Sequence, residues 1–225
     1  MPSLYIVSSP IGNLDDITLR ALRILKEVDL ILCEDTRQTL KLLNYYNISK
    51  PLVSYFQHSK FTKIDYIIEQ LRAGKNLALV TDAGTPGISD PGGKLVKETI
   101  KSLDDKVKIV PIPGPNAAIA ALCVSGFPAD RFLFLGFPPQ KKGRNKFFEE
   151  ITKAKYTVVF YESTHRILKT LNQLKERLPQ DRQMVVCREL TKQFESIYRG
   201  PAEEIFKILE SDKNNLKGEF VIIIN

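Results

Sequence analysis

The chain has 225 residues, a formal net charge of +7, 43% hydrophobic and 26% charged residues, a balance ordinary for a globular protein with a sizeable core. No apolar run approaches the roughly 20 residues of a membrane span. The start, MPSLYIVSSP, lacks the basic-then-apolar pattern of a signal peptide. A soluble, cytoplasmic protein without a membrane partner is therefore expected. The basic balance leans toward a polyanionic partner without establishing one. Cys33, Cys123 and Cys187 each sit in an apolar run, far apart in sequence. They read as buried and reduced rather than as a disulfide or metal site.

Taken in chain order, the first half alternates strand and helix signals. Leu4–Ser8 reads as a short apolar strand and Asp15–Val28 as a helix, with Asp15 and Asp16 at its positive N-terminal end. A strand at Leu30–Cys33, a helix at Gln38–Tyr46 and a strand at Leu52–Tyr55 follow. Thr62–Ala73 is a helix closed by Gly74, Leu77–Val80 a strand, Gly92–Lys101 a helix and Val107–Pro111 a fifth strand. Continuous apolar strands separated by helices imply a mainly parallel sheet covered on both faces.

Pro111-Ile112-Pro113-Gly114-Pro115 breaks this pattern, and the domain boundary is placed there, giving residues 1–112 and 113–225. The second half reads as a helix (Asn116–Ser125), a strand (Phe132–Phe137), a helix (Asn145–Lys153), a strand (Thr157–Tyr161) and a helix (Thr164–Arg177). Strands at Met184–Arg188, Ser196–Arg199 and Glu219–Ile224 complete it. The short link between the first two of these predicts a hairpin and a mixed sheet. The fold class expected is two α/β domains, the first sheet mainly parallel and the second mixed.

Ligands of open α/β sheets bind beyond the carboxyl ends of the strands. On this edge fall Ser8–Asn13, Glu34–Arg37, Asp82–Gly93 and Pro113–Ala117, then Tyr161–Arg166 and Arg188–Lys192 in the second half. The loop Thr81–Gly93 stands out, with four glycines and two prolines. A tight turn into a helix rarely needs so many, so the loop is weighed as a site in which backbone approaches a ligand. It is neither a phosphate-binding GxxxxGK[ST] loop nor a GxGxxG dinucleotide fingerprint. A nucleotide-like ligand held without phosphate grips is what remains.

The runs SPIGNLDDITLRALRILKEVD, CEDTR, LVTDAGTPGISDPG and PIPGPNA resemble the tetrapyrrole-methylase superfamily. FLFLGFPPQKKGR, VVFYESTHR, CRELTKQFE and LKGEF resemble one branch of it, the ribosomal RNA small-subunit methyltransferase I family, whose members are ribose 2′-O-methyltransferases using S-adenosylmethionine. The likeness runs in order through essentially the whole chain. Many members continue into a further small domain, whereas this sequence ends at Asn225, after its last strand.

The resemblance implies an S-adenosylmethionine cleft between the two domains. Its cofactor-binding residues on this chain are Pro10, Gly12, Asp82, Ala83, Gly84, Thr85, Ile88, Ser89, Pro113, Gly114, Asn116, Ala117 and Tyr161. The implied substrate is a cytidine ribose of 16S ribosomal RNA or the small subunit, and the implied assembly a homodimer. No metal is expected, because a sulfonium is already a good leaving group and the only histidines are His58 and His165.

Methylating a ribose hydroxyl needs alignment, a proton acceptor and a grip on the RNA. Candidate catalytic or positioning residues are Glu34, Asp35, Arg37, Glu162, His165 and Glu189. For Glu34–Arg37 an ion pair, or capping of the next helix by Asp35 or Thr36, is the competing reading. His165 is equally read as a residue in its helix's first turn that bonds a neighbour. Arg166, Arg188 and Lys192 are candidate phosphate contacts, as is the acid-free run containing Lys141, Lys142, Arg144 and Lys146. Two other readings stay open: a C-methyltransferase acting on a tetrapyrrole, and a non-catalytic RNA-binding module.

Overall fold

The computed structural model describes residues 1–56, 61–90 and 92–225, and it divides into two compact units, Met1–Asn116 and Ala117–Asn225. His58 lies outside the described residues.

In the first unit the strands are β1 (Ser3–Val7), β2 (Leu30–Cys33), β3 (Leu52–Ser54), β4 (Leu77–Leu79) and β5 (Lys108–Ile112). They form one sheet in the order β3-β2-β4-β1-β5, with every neighbouring pair parallel. The helices are α1 (Leu19–Glu27), α2 (Thr36–Tyr45), α3 (Phe61–Arg72) and α4 (Gly92–Leu103). Alternation along the strands splits the core in two. Val7, Ile31, Cys33 and Ala78 pack with Ala21, Leu25 and Leu43 of α1 and α2. Leu4, Leu32, Leu77 and Leu79 pack with Ile67, Leu71 and Leu95 of α3 and α4. Each such fully buried leucine contributes about 2 kcal/mol by leaving water.

β5 extends through Pro111 to Ile112, beyond the expected end. Proline is tolerated because β5 is an edge strand paired only with β1, where Pro111 lies beside Ile6. The first expected helix also begins later. Leu14–Asp16 form a single 3-10 turn capped by Asn13, and Thr18 starts α1 by accepting the Ala21 N–H at 3.1 Å. Asp15 and Asp16 thus belong to the turn and not to the helix.

In the second unit the strands are β6 (Phe132–Phe134), β7 (Thr157–Ser163), β8 (Gln183–Arg188), β9 (Ser196–Pro201) and β10 (Glu219–Ile224), in the order β6-β7-β10-β8-β9. β6 and β7 are parallel; the remaining pairs are antiparallel, including the β8–β9 hairpin. This is the mixed sheet expected. The helices are α5 (Ala117–Ser125), α6 (Arg144–Lys153), α7 (Ile167–Lys175) and α8 (Ala202–Ser211). Helices α6, α7 and α8 cover one face through Phe148, Leu171 and Ile205. α5 covers the other through Ala118, Ala121 and Leu122.

α8 stands where no helix is expected, and α7 begins three residues later than expected, after the turn that holds Thr164 and His165. Cys33 and Cys187 are buried, but Cys123 is exposed. α5 is apolar all round, so the run gave no sign of which face is covered. Among the described residues, no helix is long and apolar enough to cross a membrane.

Candidate active site

In the first unit, the turns after β1, β4 and β5 are tied together by backbone. Ser9 and Gly84 exchange hydrogen bonds, Ser9 N–H to Gly84 O at 2.9 Å and Gly84 N–H to Ser9 O at 3.2 Å. The Ser9 hydroxyl donates to Thr81 O at 3.0 Å. Ser8 Oγ donates to Thr85 Oγ1, which donates to Pro115 O, both at 3.0 Å. Three loops distant in sequence therefore hold one another without a bulky side chain.

Glycine is required at two places here. Gly84 has φ +81°, and a Cβ on it would stand 3.4 Å from Ile11 Cγ2. A Cβ on Gly114 would stand 2.8 Å from that of Ser8. Further along, Asp90 Oδ1 accepts the N–H groups of Gly87 and Gly92, both at 2.7 Å, and Ser89 takes φ +63°. The carboxylate thus fixes the shape of the loop's second half. Asp82, Ala83, Ile88, Ser89, Gly12, Pro113 and Gly114 are exposed on this framework, Asn116 is half-buried and Pro10 is buried.

The end of β2 supplies the neighbouring carboxylates. Asp82 Oδ1 accepts the Asp35 N–H at 3.0 Å, and Thr81 Oγ1 donates to Glu34 Oε2 at 3.4 Å. Asp35 caps α2 through the Arg37 N–H at 2.8 Å and binds the Arg37 guanidinium at 2.6 Å. Those bonds hold Asp35 well below its ordinary value, at about 2. Glu34 behaves oppositely. Partial burial and the like charges of Asp82 and Asp90 push its pKa up, against the Thr81 hydroxyl. The edge is therefore locally acidic in a chain of net charge +7, which suits a cationic ligand and not a phosphate.

The raised pKa means that folding disfavours the ionised form of Glu34. Above its folded pKa the native state carries that cost, and below it the cost disappears. We expect Glu34→Gln to raise thermal stability slightly near pH 7, by no more than about 0.5 kcal/mol. That gain should vanish as the pH falls through the folded Glu34 pKa, as followed by circular dichroism. A loss of stability at pH 7 would contradict this reading.

In the second unit, the motif residues are drawn into two bonded clusters. Glu162 is buried and accepts from the Ser163 N–H at 2.7 Å, Thr170 Oγ1 at 2.6 Å and Arg166 at 2.9 Å. Arg144, 5% exposed, donates to Gln173 Oε1, Thr170 Oγ1 and Pro139 O. Arg166 also reaches Ser163 Oγ and Pro138 O. The other cluster joins Glu189, Lys192 and Glu219: the Lys192 ammonium lies 2.8 and 2.9 Å from the two carboxylates, and Glu189 accepts the Glu219 N–H. Arg188, 8% exposed, donates to Lys217 O, Asn214 O and Phe194 O.

Two expectations change as a result. Arg144 and Arg188 are internal struts whose guanidinium donors are turned to protein acceptors, so neither is a surface phosphate contact. Lys141, Lys142 and Lys146 remain exposed, and so does His165, on the turn before α7. Tyr161 is half-buried beside Phe134 and Phe137, and burial pushes its phenol up. Ala117 opens α5 and is half-buried. Among the described residues, no group of three or more His, Cys, Asp or Glu side chains is placed to hold a metal.

A family model described as Tetrapyrrole (Corrin/Porphyrin) Methylases matches residues 3–205. The chain belongs to this family. A protein of Halalkalibacterium halodurans is 48% identical over 99% of this chain and 75% of its own length; one of Bacillus subtilis is 46% identical over 100% and 75%. Both are named Ribosomal RNA small subunit methyltransferase I, and the chain falls in that branch of the methylases. Among solved structures, uroporphyrin-III-C-methyltransferase from Thermus thermophilus superposes with TM-score 0.69 at 18% identity, covering 100% of this chain and 94% of that one. At that identity it supports the fold alone.

Proposed function

We propose that the chain is an S-adenosylmethionine-dependent methyltransferase that methylates the ribose 2′-hydroxyl of a cytidine in 16S ribosomal RNA, in the cytoplasm and as a homodimer. What carries the RNA reading is 46–48% identity, over essentially the whole chain, to proteins named for small-subunit ribosomal RNA. What supports the cofactor is the glycine-built, acidic edge of the first unit. The cofactor supplies a methyl group on a positively charged sulfur. Asp82 and Glu34 complement that charge, while the exposed backbone at Asp82, Ala83 and Gly114 offers hydrogen bonds beside small side chains. Gly84 and Gly114 let the three loops that would frame such a ligand approach one another, since a Cβ on either would meet Ile11 or Ser8. The remaining cofactor contacts on the first unit are Pro10, Gly12, Thr85, Ile88, Ser89, Pro113 and Asn116.

Methylation of the 2′-oxygen would require that oxygen to give up its proton to the protein. Glu34 is assigned as acceptor, because its raised pKa makes it the better base of the Glu34-Asp35 pair. Asp35 and Arg37, locked to each other, position the β2 end. Glu162 and Glu189 are tied into their own clusters and hold the shape of their turns, and His165 is left to approach the RNA. Arg166 and Lys192 border the same turns, and Lys141, Lys142 and Lys146 neutralise backbone phosphate.

The test uses the purified protein, tritiated S-adenosylmethionine, and small subunits or RNA lacking the methyl group. Label in a 2′-O-methylcytidine is expected. Label in uroporphyrinogen, with none in RNA, sinks the reading in favour of a tetrapyrrole substrate.

A further inference from the structure

The basic run is more than a charged loop, because the fold adds a lysine from a different helix to it. Gln140, Lys141, Lys142, Lys146 and Lys169 line a depression of about 530 Å³ whose lining contains no acidic residue. Lys169 belongs to the first turn of α7, and its distance in sequence from the run hides the association.

Two helix starts carry these charges. α6 begins Arg144-Asn145-Lys146 after Gly143, with no side-chain cap and no acid in its first turn. α7 begins Ile167-Leu168-Lys169 after Arg166, also without a side-chain cap or an acid. Cations at the positive end of a helix are unfavourable unless an anion compensates them, and acids are the residues normally favoured there. Arg144, which also lines the depression, and the partly exposed Arg166 share the single carboxylate of Glu162, at 4.0 and 2.9 Å, so Glu162 does not offset the lysine charges around it. The lysines and the two uncapped helix starts therefore add positive potential at the depression, with no acidic residue in its lining to offset it.

We propose that this depression binds an internal phosphodiester of the RNA backbone, with Lys169 joining Lys141, Lys142 and Lys146 as contacts and Arg144 as the buried strut that shapes the loop. The proposal rests on the RNA reading above.

The experiment measures binding of a single-stranded RNA oligonucleotide with a 5′-hydroxyl end, so that every phosphate is an internal diester, across a salt series. Lys169→Gln should weaken binding three- to tenfold near physiological salt and flatten the log–log salt slope by about 0.7. In methyl transfer, KM for RNA should rise with kcat unchanged. Lys101→Gln, an exposed lysine on α4 that removes the same net charge, serves as control and should leave affinity and slope unchanged. Equal effects of the two variants would show that only net charge matters, and would overturn the pocket while leaving the RNA reading intact. Failure of the unmodified protein to bind RNA at any salt overturns both.

Discussion

Replacing Gly84 by valine is expected to weaken S-adenosylmethionine binding at least 100-fold while leaving the protein folded. At φ +81° an L-residue carries about 1–2 kcal/mol of backbone strain, and a β-branched one is a severe outlier. The new Cβ would already touch Ile11 Cγ2 at 3.4 Å and approach Pro115 O at 3.7 Å, so the γ-methyls have nowhere to go without moving one of the loops. Gly84 also exchanges backbone bonds with Ser9. A shift there propagates into Ser8, Thr85 and Pro115 through the hydroxyl chain. Gly84→Ala keeps the strain but not the branches, so its loss should be nearer tenfold. Calorimetric titration with the cofactor, alongside circular dichroism of each variant, reads both effects. Unchanged affinity in a folded Gly84→Val protein refutes the placement of the cofactor at this loop.

The first sheet was legible because each parallel strand is a continuous apolar run, and because the glycines and prolines that follow β1, β4 and β5 are there for a backbone reason. Gly84 is the example: its sequence neighbours announce a turn, and the structure adds a positive φ and a close approach. What escaped has equally specific causes. α8 carried a readable signal, since Ala202, Ile205 and Leu209 fall on one face behind Pro201 with Glu203 and Glu204 in the first turn. It is masked because β9 runs up to Pro201 and α8 starts at Ala202, with no loop between them. α1 starts behind its cap Thr18 and not at Asp15, because Asn13 diverts Leu14–Asp16 into a 3-10 turn. The fate of Arg144 and Arg188 was only partly written locally, in Pro139 O for the first and Phe194 O for the second. A charge in a polar loop, like Arg144, or at a strand end, like Arg188, normally means solvent, whereas their other acceptors, Thr170 and Gln173 for one and Asn214 and Lys217 for the other, lie far along the chain. Lys169 joins the basic run for the same reason in reverse.

Glu162 is where the catalytic and structural readings of a motif carboxylate separate most clearly. Its side chain is fully buried, and it faces Arg166 at 2.9 Å and Arg144 at 4.0 Å, the latter held by Thr170, which itself donates to Glu162. Removing the carboxylate leaves the buried Arg144 and the partly exposed Arg166 without a counter-charge. The cost of breaking a buried pair from one side is about 3–5 kcal/mol, far more than the pair itself contributes relative to an apolar replacement. Glu162→Ala is therefore expected to lower the Tm by about 10 °C, given the roughly 2–4 °C per kcal/mol of a chain this size. Glu162→Gln retains hydrogen-bonding capacity toward the Ser163 N–H and Thr170 but not the charge, and should lie between. Methyl transfer measured well below each variant's Tm should then survive in proportion to the folded fraction. If instead both variants melt like the parent protein while turnover collapses, Glu162 acts on the reacting groups, and the ion-pair cluster is a consequence of that role and not its explanation.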